Sequence, residues 1–122
     1  MKTMKTVFVV DDSDTNLTMA EEALEDNFNV ITVPSAAKMF EFFEKIMPDI
    51  ILLDIQMPEM NGFEALERIK ASASWANIPV IFLTGTIDVN IERRSKQLGA
   101  VDIVAKPFSA GDLLNRINTY LK

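Results

Sequence analysis

Four short, largely apolar runs in this sequence each lead directly into a polar residue. The runs cover residues 7–10, 50–53, 80–83 and 101–105, and their valine and isoleucine content is typical of strands buried on both faces of a parallel sheet. Because the carboxyl ends of parallel strands share one edge of a sheet, we expect the polar residues to meet there. These residues are Asp11, Asp12, Asp54, Thr84 and Lys106.

Stretches with helical spacing separate the strand-like runs. The first, residues 14–25, places Leu17, Ala20 and Leu24 on one face, and the second follows Ser35, a predicted N-cap. The other apolar positions predicted to face the core are Ala36, Met39, Phe40, Phe43, Ile46 and Met47 of the second helix, Phe63, Leu66 and Ile69 of the third, and Leu113, Leu114, Ile117 and Leu121 of the fifth.

Several residues mark where the later helices begin or end. The third helix is entered through Asn61-Gly62. The fourth, residues 88–98, has few apolar positions, and Gly99 is its predicted C-cap. The fifth begins at Ser109, which together with Asp112 resembles a capping box.

Strand and helix therefore alternate along the chain. Residues 28–33 supply the remaining strand, which ends at Pro34. Such alternation predicts parallel strands joined by right-handed crossovers, with helices on both faces. We predict an α/β fold, a (βα)5 doubly wound five-stranded parallel sheet of the flavodoxin-like type, as one domain over residues 1–122. Known sheets of this type have the strand order 2-1-3-4-5, so we expect that order here, with a crevice between strands 1 and 3.

Composition excludes several classes of function. The 122 residues include no cysteine and no histidine, which excludes disulfides, thiolate metal sites, a serine–histidine pair and an internal phosphohistidine. A formal net charge of −6 disfavours direct binding to nucleic acid. The basic residues 1–6 precede an apolar run that is too short for a secretory signal or a membrane span, so we expect a cytoplasmic protein.

Asp11 and Asp12 have an ordinary explanation as well as a functional one. Taken alone, the pair would be interpreted as the N-cap of the first helix. Asp54 at the end of a neighbouring strand changes that balance, because three clustered carboxylates repel one another unless a cation compensates them. Mg²⁺ takes oxygen ligands and commonly uses one or two carboxylates with a phosphate oxygen, so we predict a Mg²⁺ site at this edge.

The same edge offers groups suited to phosphoryl chemistry. Asp54 can simply begin the turn that follows it, or it can attack phosphorus and form an aspartyl phosphate. Lys106 can be an ordinary surface lysine, but facing three acids it can also pair with a phosphoryl oxygen or with Asp54. Threonine is common in strands, yet the Thr84 hydroxyl can bond a phosphoryl oxygen here, and Gly85 leaves room beside it.

Taken together, these residues resemble the response-regulator receiver domains of two-component signalling, the CheY-like proteins. The resemblance covers essentially the whole chain, and each motif stands at the expected strand or helix end. The matching segments are residues 9–13 (VVDDS), 48–58 (PDIILLDIQMP), 61–64 (NGFE), 83–85 (LTG), 99–100 (GA) and 106–108 (KPF).

The resemblance implies a role for each matched acid. Asp54 would be the phosphoacceptor. Asp12 and Asp54 would bind Mg²⁺ directly, with Asp11 acting mainly through water. The backbone carbonyl of Gln56 would complete the protein ligands.

The resemblance also implies how a bound phosphoryl group would act on the rest of the domain. Thr84 would be the switch hydroxyl, and Lys106, joined to Pro107 by a cis bond, would be the cation that pairs with the phosphoryl group. Many receivers couple the threonine to an aromatic residue on the fifth strand, but the matching residue here is Ile103. The sequence therefore leaves open a switch that runs through the loop after Thr84 or the fourth helix.

The resemblance implies partners as well. The phosphoryl donor would be a phosphohistidine on a sensor histidine kinase or a phosphotransfer protein, docking near the start of the first helix, where Leu17 and Met19 could contribute contacts. We expect a phosphorylation-activated switch that changes its interaction surface, and not a turnover enzyme. An effector domain, a downstream protein and a weak homodimer through the fourth and fifth helices all stay open.

Three other functions remain to be weighed. An aspartyl-nucleophile phosphatase of the haloacid-dehalogenase type usually carries a second aspartate two residues after the nucleophile, where this chain has Gln56. A flavodoxin-like nucleotide-binding module needs a phosphate loop rich in glycine and hydroxyl groups, but residues 11–14 here are DDSD. A phosphorylation-independent interaction scaffold stays open because of Ile103.

Overall fold

The computed structural model describes residues 4–121, which form a five-stranded parallel sheet with five helices. Residues 1–3 and 122, at the two ends of the predicted domain, lie outside the described residues. The strands are β1 (Thr6–Val10), β2 (Asn29–Val33), β3 (Ile50–Asp54), β4 (Val80–Thr84) and β5 (Asp102–Ala105), and the helices are α1 (Asp14–Leu24), α2 (Ala36–Phe43), α3 (Gly62–Lys70), α4 (Val89–Leu98) and α5 (Ala110–Tyr120). Their order in the sheet, β2-β1-β3-β4-β5, confirms the predicted fold class and strand order.

Side chains alternate between the two faces of the sheet, and each face has its own apolar core. Phe8 and Val10 of β1 belong to the core that includes α2 and α3, while Val7 and Val9 belong to the core that includes α1 and α5. Every residue of β3 and β4 is buried. Burial on both faces explains why these central strands are continuous apolar runs in the sequence.

Each helix is preceded by a residue whose side chain accepts a backbone N–H of the first turn, which fixes where the helix begins. The Asn61 Oδ1 accepts from the N–H of Glu64 at 2.9 Å, and Glu64 Oε1 accepts from the N–H of Asn61 at 3.1 Å, a complete capping box. At the C-terminal end of α4, Gly99 is the C-cap, as predicted, and its φ of 95° lies in the left-handed region. The five N-caps are Ser13, Ser35, Asn61, Asp88 and Ser109.

Ser109 caps α5 as predicted, but in a simpler way than a capping box. Its hydroxyl accepts from the N–H of Asp112 at 3.1 Å. The Asp112 carboxylate instead accepts from Arg116 Nε at 3.0 Å, and Arg116 Nη1 reaches Asp102 at 2.9 Å. Asp112 therefore contributes to an ion network that holds α5 against β5.

The predicted second helix was too long. α2 ends at Phe43, and the N–H groups of Lys45 and Ile46 both turn back to the carbonyl of Phe42. Ile46 and Met47 therefore lie beyond the helix and are 40% and 48% exposed, so their predicted place in its buried face is wrong. Smaller differences occur where β2 begins at residue 29 instead of 28 and β5 at residue 102 instead of 101.

An aromatic cluster fills the core between α2 and the loop that leads into β4. The rings of Phe8 and Phe43 stack at 5.8 Å between centroids, and Phe43 lies 4.7 Å from Trp75. Phe40 also contacts Trp75, at 5.6 Å, but both of these rings are half-buried. Phe43 is the central member, since it is buried and contacts rings on both sides.

We expect Phe43→Ala to lower the free energy of unfolding by about 3–5 kcal/mol, because it opens a cavity between the sheet and Trp75. Urea denaturation followed by far-UV circular dichroism measures the loss. Phe40→Ala is the matched control, since Phe40 contacts the same tryptophan from a half-buried position and its loss should be smaller. Equal losses for the two variants would contradict this description of the core.

Candidate functional site

Three carboxylates meet at the carboxyl edge of the sheet. Asp11 and Asp12 follow β1, Asp54 ends β3, and the two strands are neighbours, with Val10 paired to Leu53. One carboxylate oxygen from each acid lies within 4.8 Å of the others. The structure therefore confirms that the three acids predicted from the ends of the strand-like runs lie close together.

The two adjacent acids of this cluster have different surroundings. Asp11 is fully buried, and its Oδ1 accepts from the N–H of Ser13 at 2.9 Å, which fixes the carboxylate. Asp12 is exposed. Ser13, not either aspartate, caps α1 by accepting from the N–H of Asn16 at 3.3 Å. The ordinary explanation of these acids as helix caps is therefore wrong, since another residue does that work.

Lys106 lies between the two buried acids. Its Nζ is 3.0 Å from Asp54 Oδ1 and 3.3 Å from Asp11 Oδ2, and its side chain is 17% exposed. The lysine directly follows β5, and its backbone N–H donates to the carbonyl of Thr84 at 2.8 Å. The bond from Lys106 to Pro107 is cis, as the resemblance implied. A single ammonium thus partly compensates three carboxylates.

Burial dominates the electrostatics of Asp54. It raises the pKa of this carboxyl to about 6, the charge of Asp11 adds to the rise, and the hydrogen bonds from Lys106 and from the N–H of Gln56 oppose it. Burial on its own would lower the pKa of Lys106, but the hydrogen bond and charge of Asp54, together with Asp11, raise it above its ordinary value. The charged form of Lys106 is therefore stabilised, whereas desolvation destabilises the charged form of the neighbouring Asp54 carboxylate.

The Thr84 hydroxyl is engaged within its own loop. It donates to the carbonyl of Thr86 at 3.0 Å and accepts from the N–H of the same residue at 3.2 Å. Thr84 is buried, whereas Gly85 beside it is exposed and has open space around its Cα. Ile103, at the position where many receivers carry an aromatic residue, is half-buried and packs against the core that includes α2 and α3.

Of the two residues expected to form a docking surface on the first helix, only one is exposed. Leu17 is 8% exposed and packs into the core, so its predicted contact with a partner is wrong. Met19 is 40% exposed. It lines a shallow cavity between α1 and the start of α5 together with Glu22, Ala23, Phe108 and Ala110.

One residue of the site was noticed in the sequence only as the entry to a helix. Gly62, the first residue of α3, donates its N–H to the carbonyl of Ile55 at 2.8 Å. It therefore contacts the backbone immediately after Asp54, the candidate phosphoacceptor. The signal available in the sequence was a glycine just after a helix cap, eight positions beyond Asp54. That spacing alone does not predict a contact between the two backbones.

A comparison with known protein families matches residues 7–118 to the response regulator receiver domain. The chain belongs to this family. The predicted resemblance and the prediction of a phosphorylation-activated switch in two-component signalling are thereby confirmed, and the phosphatase alternative is not favoured.

Relatives of this receiver domain differ in overall length. The chain is 30% identical over 118 residues to the polar-differentiation response regulator DivK of Brucella ovis, with 96% of each protein covered. It is 38% identical over 117 residues to a probable cyclic di-GMP phosphodiesterase of Vibrio cholerae, but spans only 26% of that protein. Among solved structures, the chemotaxis protein CheY4 of Vibrio cholerae has a TM-score of 0.92 and 28% identity, covering 97% of this chain and 99% of the other.

Receiver domains are signalling switches that take phosphoryl groups from histidine kinases or phosphotransfer proteins. Within residues 4–121, no helix of this receiver domain has the length and apolar character required to cross a bilayer. The acidic cluster of Asp11, Asp12 and Asp54 is of a kind that can hold a metal ion.

In buffer without Mg²⁺, we expect Asp54 to make the protein less stable as the pH rises from about 4 to about 6. Its folded-state pKa of about 6 lies above the ordinary value of 3.8, so over this range the folded protein keeps a proton that the unfolded chain has released. Stability is therefore greatest below the ordinary pKa and is lost through the folded one. Asp54→Asn should become increasingly more stable than the wild type over this interval, measured by thermal unfolding at each pH.

Asp49→Asn is the control for this titration, because Asp49 precedes the same strand at its opposite end and is exposed. Asp49 lies outside the three-acid cluster, so a change in the pH profile that occurs in Asp54→Asn and not in Asp49→Asn is assigned to the cluster. A stability difference between wild type and Asp54→Asn that stays constant across the interval would show that burial does not raise the Asp54 pKa. The raised pKa of Lys106 acts only in the alkaline range and does not interfere.

Proposed function

We propose that Asp54 is the phosphoacceptor of this receiver domain. The observation that carries the proposal is the placement of its carboxylate at the end of β3, beside two further acids and within 3.0 Å of the Lys106 ammonium. Among the described residues, Lys106 and the N–H of Gln56 both donate to Oδ1, which leaves Oδ2 to act as the nucleophile. As the bond from Oδ2 to phosphorus forms, the bond from phosphorus to the donor imidazole breaks, and its electron pair returns to the imidazole nitrogen.

The donor set fits a divalent cation, and we propose that it holds Mg²⁺. Three carboxylates and one ammonium leave two negative charges in the cluster, and carboxylate oxygens are the ligands that this ion prefers. Asp12 and Asp54 are the proposed direct ligands, with Asp11 acting through water and the Gln56 carbonyl completing the set. Exposure of Asp12 suits an ion that keeps several waters. When bound, the ion neutralises charge on the transferring phosphoryl group.

Two groups of the chain are proposed to respond to the new phosphoryl group. Lys106 exchanges its contact with the Asp54 carboxylate for one with a phosphoryl oxygen, since the attached group carries more negative charge. Thr84 gives up its bonds to the backbone of Thr86 and donates to another phosphoryl oxygen. Ile103 has no ring or hydroxyl that could reorient with Thr84. We therefore propose that the conformational change passes through the loop from Thr84 to Asp88, the N-cap of α4.

The proposed phosphoryl donor is a phosphohistidine on a sensor histidine kinase or a phosphotransfer protein. The exposed Met19 and the cavity between α1 and the start of α5 are proposed to provide an apolar contact for it. Histidine is absent from the whole sequence, which is consistent with a donor on another protein.

Further proposals concern the setting of this switch. We propose that residues 1–122 form a single receiver domain that acts in the cytoplasm and does not bind nucleic acid directly. Its chemistry is limited to its own phosphorylation and dephosphorylation, without turnover of other substrates. Output passes to an effector domain or a downstream protein, and a weak homodimer through α4 and α5 is one form that output can take.

Incubation with acetyl phosphate and Mg²⁺ is expected to add one phosphoryl group to the wild type and none to Asp54→Asn, because the amide lacks the nucleophilic oxygen. Intact-protein mass spectrometry measures the addition. Asp49→Asn is the matched control, because it makes the same substitution at the opposite end of the same strand. This variant should be labelled like the wild type. Labelling of Asp54→Asn at the wild-type level would refute the proposed acceptor.

Asp12→Asn is expected to weaken Mg²⁺ binding by at least about tenfold, since it replaces a charged carboxylate ligand of the cluster with a neutral amide. Isothermal titration calorimetry measures the dissociation constant. Asp14→Asn is the matched control, because Asp14 is also exposed and stands two residues away but does not belong to the three-acid cluster. Equal effects of the two substitutions would mean that general surface charge, not a site, attracts the ion.

A further inference from the structure

The start of α3 lies unusually close to the backbone of the proposed phosphoacceptor. A Cβ placed in ideal geometry on Gly62 would lie 2.5 Å from the carbonyl oxygen of Asp54 and 2.8 Å from the Cα of Ile55. Both are backbone atoms of the central strand and its continuation, which cannot turn aside as a flexible side chain can. Only a residue without a side chain therefore permits this approach.

The approach is held from both sides. The N–H of Ile55 donates to the carbonyl of Leu83 in β4 at 3.1 Å, and the carbonyl of Ile55 accepts from the N–H of Gly62 at 2.8 Å. On the helix side, the capping box of Asn61 and Glu64 fixes the first turn of α3. The segment that carries the Asp54 carboxylate is thus clamped between β4 and the first residue of a helix.

The clamped segment carries two of the groups proposed to act in phosphorylation. The Asp54 carboxylate stands at its beginning, and the proposed carbonyl ligand of Gln56 follows Ile55 directly. The N–H of Gln56 also donates to Asp54 Oδ1 at 3.3 Å, so a shift of this backbone moves the carboxylate as well. Displacement of Ile55 therefore alters the nucleophile and the metal ligands together.

We propose that Gly62 is a positioning residue for phosphoryl transfer: its missing side chain allows α3 to press against residues 54–55 and to set the placement of the Asp54 carboxylate and the Gln56 carbonyl. The inference rests on the proposed roles of those two groups. A loss of function in Gly62→Ala would not come from helix propensity. Alanine favours a helix more than glycine does when its methyl group meets no obstacle.

Gly62→Ala tests the proposal. We expect Mg²⁺ affinity, measured by isothermal titration calorimetry, to fall at least about fivefold, and labelling by acetyl phosphate to slow by about tenfold to a hundredfold, since small misplacements of reacting groups are costly. Both are measured at a temperature where circular dichroism shows the variant to be folded. Wild-type affinity and wild-type labelling in folded Gly62→Ala would overturn the proposal.

Two control variants separate positioning from stability. Gly111→Ala adds the same methyl group near the start of α5, where, apart from its chain neighbours and the backbone of α5 itself, it would meet nothing within 4 Å, and it should leave affinity and rate unchanged. Ile69→Val destabilises the far end of α3 by removing a buried methyl group without touching residues 54–55. If Ile69→Val lowers Mg²⁺ affinity as much as Gly62→Ala, the effect is one of helix stability and the positioning role is wrong.

Asn61→Ala keeps the test decisive if Gly62→Ala does not fold. It adds no atoms but removes the bond from the N–H of Glu64 to the Asn61 side chain, which weakens the capping box and loosens the first turn of α3 against Ile55. We expect Mg²⁺ affinity to fall in the same direction by a smaller factor, and unchanged affinity would overturn the proposal. Failure of the wild type itself to be labelled at Asp54 would instead refute the proposed function, which is a distinct result.

Discussion

The ion cluster formed by Lys106, Asp11 and Asp54 is the interaction on which the rest of this structure depends. Two buried carboxylates on neighbouring strands repel each other, and desolvation adds to the cost of their charges. One ammonium at 3.0 and 3.3 Å is what allows both to stay at the edge of the sheet. Because the compensation is incomplete, the site keeps an excess of negative charge and therefore a reason to take up a cation.

The sheet and the helix starts make this cluster possible. Parallel strands bring the ends of β1, β3, β4 and β5 to a common edge, so residues far apart in the sequence become neighbours. The helices then begin at the same edge, and each start is fixed by a capping side chain that satisfies free backbone N–H groups. Ser13 matters in particular, since by capping α1 it leaves Asp11 and Asp12 available for ligand binding.

Much of this arrangement could be predicted from the sequence, and the failures have identifiable physical causes. Apolar runs ending in polar residues predicted the strands and the convergence of the three acids, while the strand order was taken from known sheets of this fold type. The same apolar pattern placed Ile46 and Met47 in α2, although the helix ends at Phe43. Apolar periodicity does not show the residue at which a helix ends. The partner of the Thr84 hydroxyl depends on the local shape of its loop, and the contact of Gly62 with Asp54 depends on how closely α3 approaches the end of β3. Neither is encoded by a residue pattern.

The aromatic cluster around Trp75 has a practical consequence. This residue is the single tryptophan of the chain, and it lies in the connection from α3 to β4, at the opposite edge of the sheet from the carboxylates. Its ring is surrounded by Phe40 and Phe43 and is separated from the acidic cluster by the length of the strands. Tryptophan fluorescence of this protein therefore reports on the packing of the core between α2 and the connection from α3 to β4.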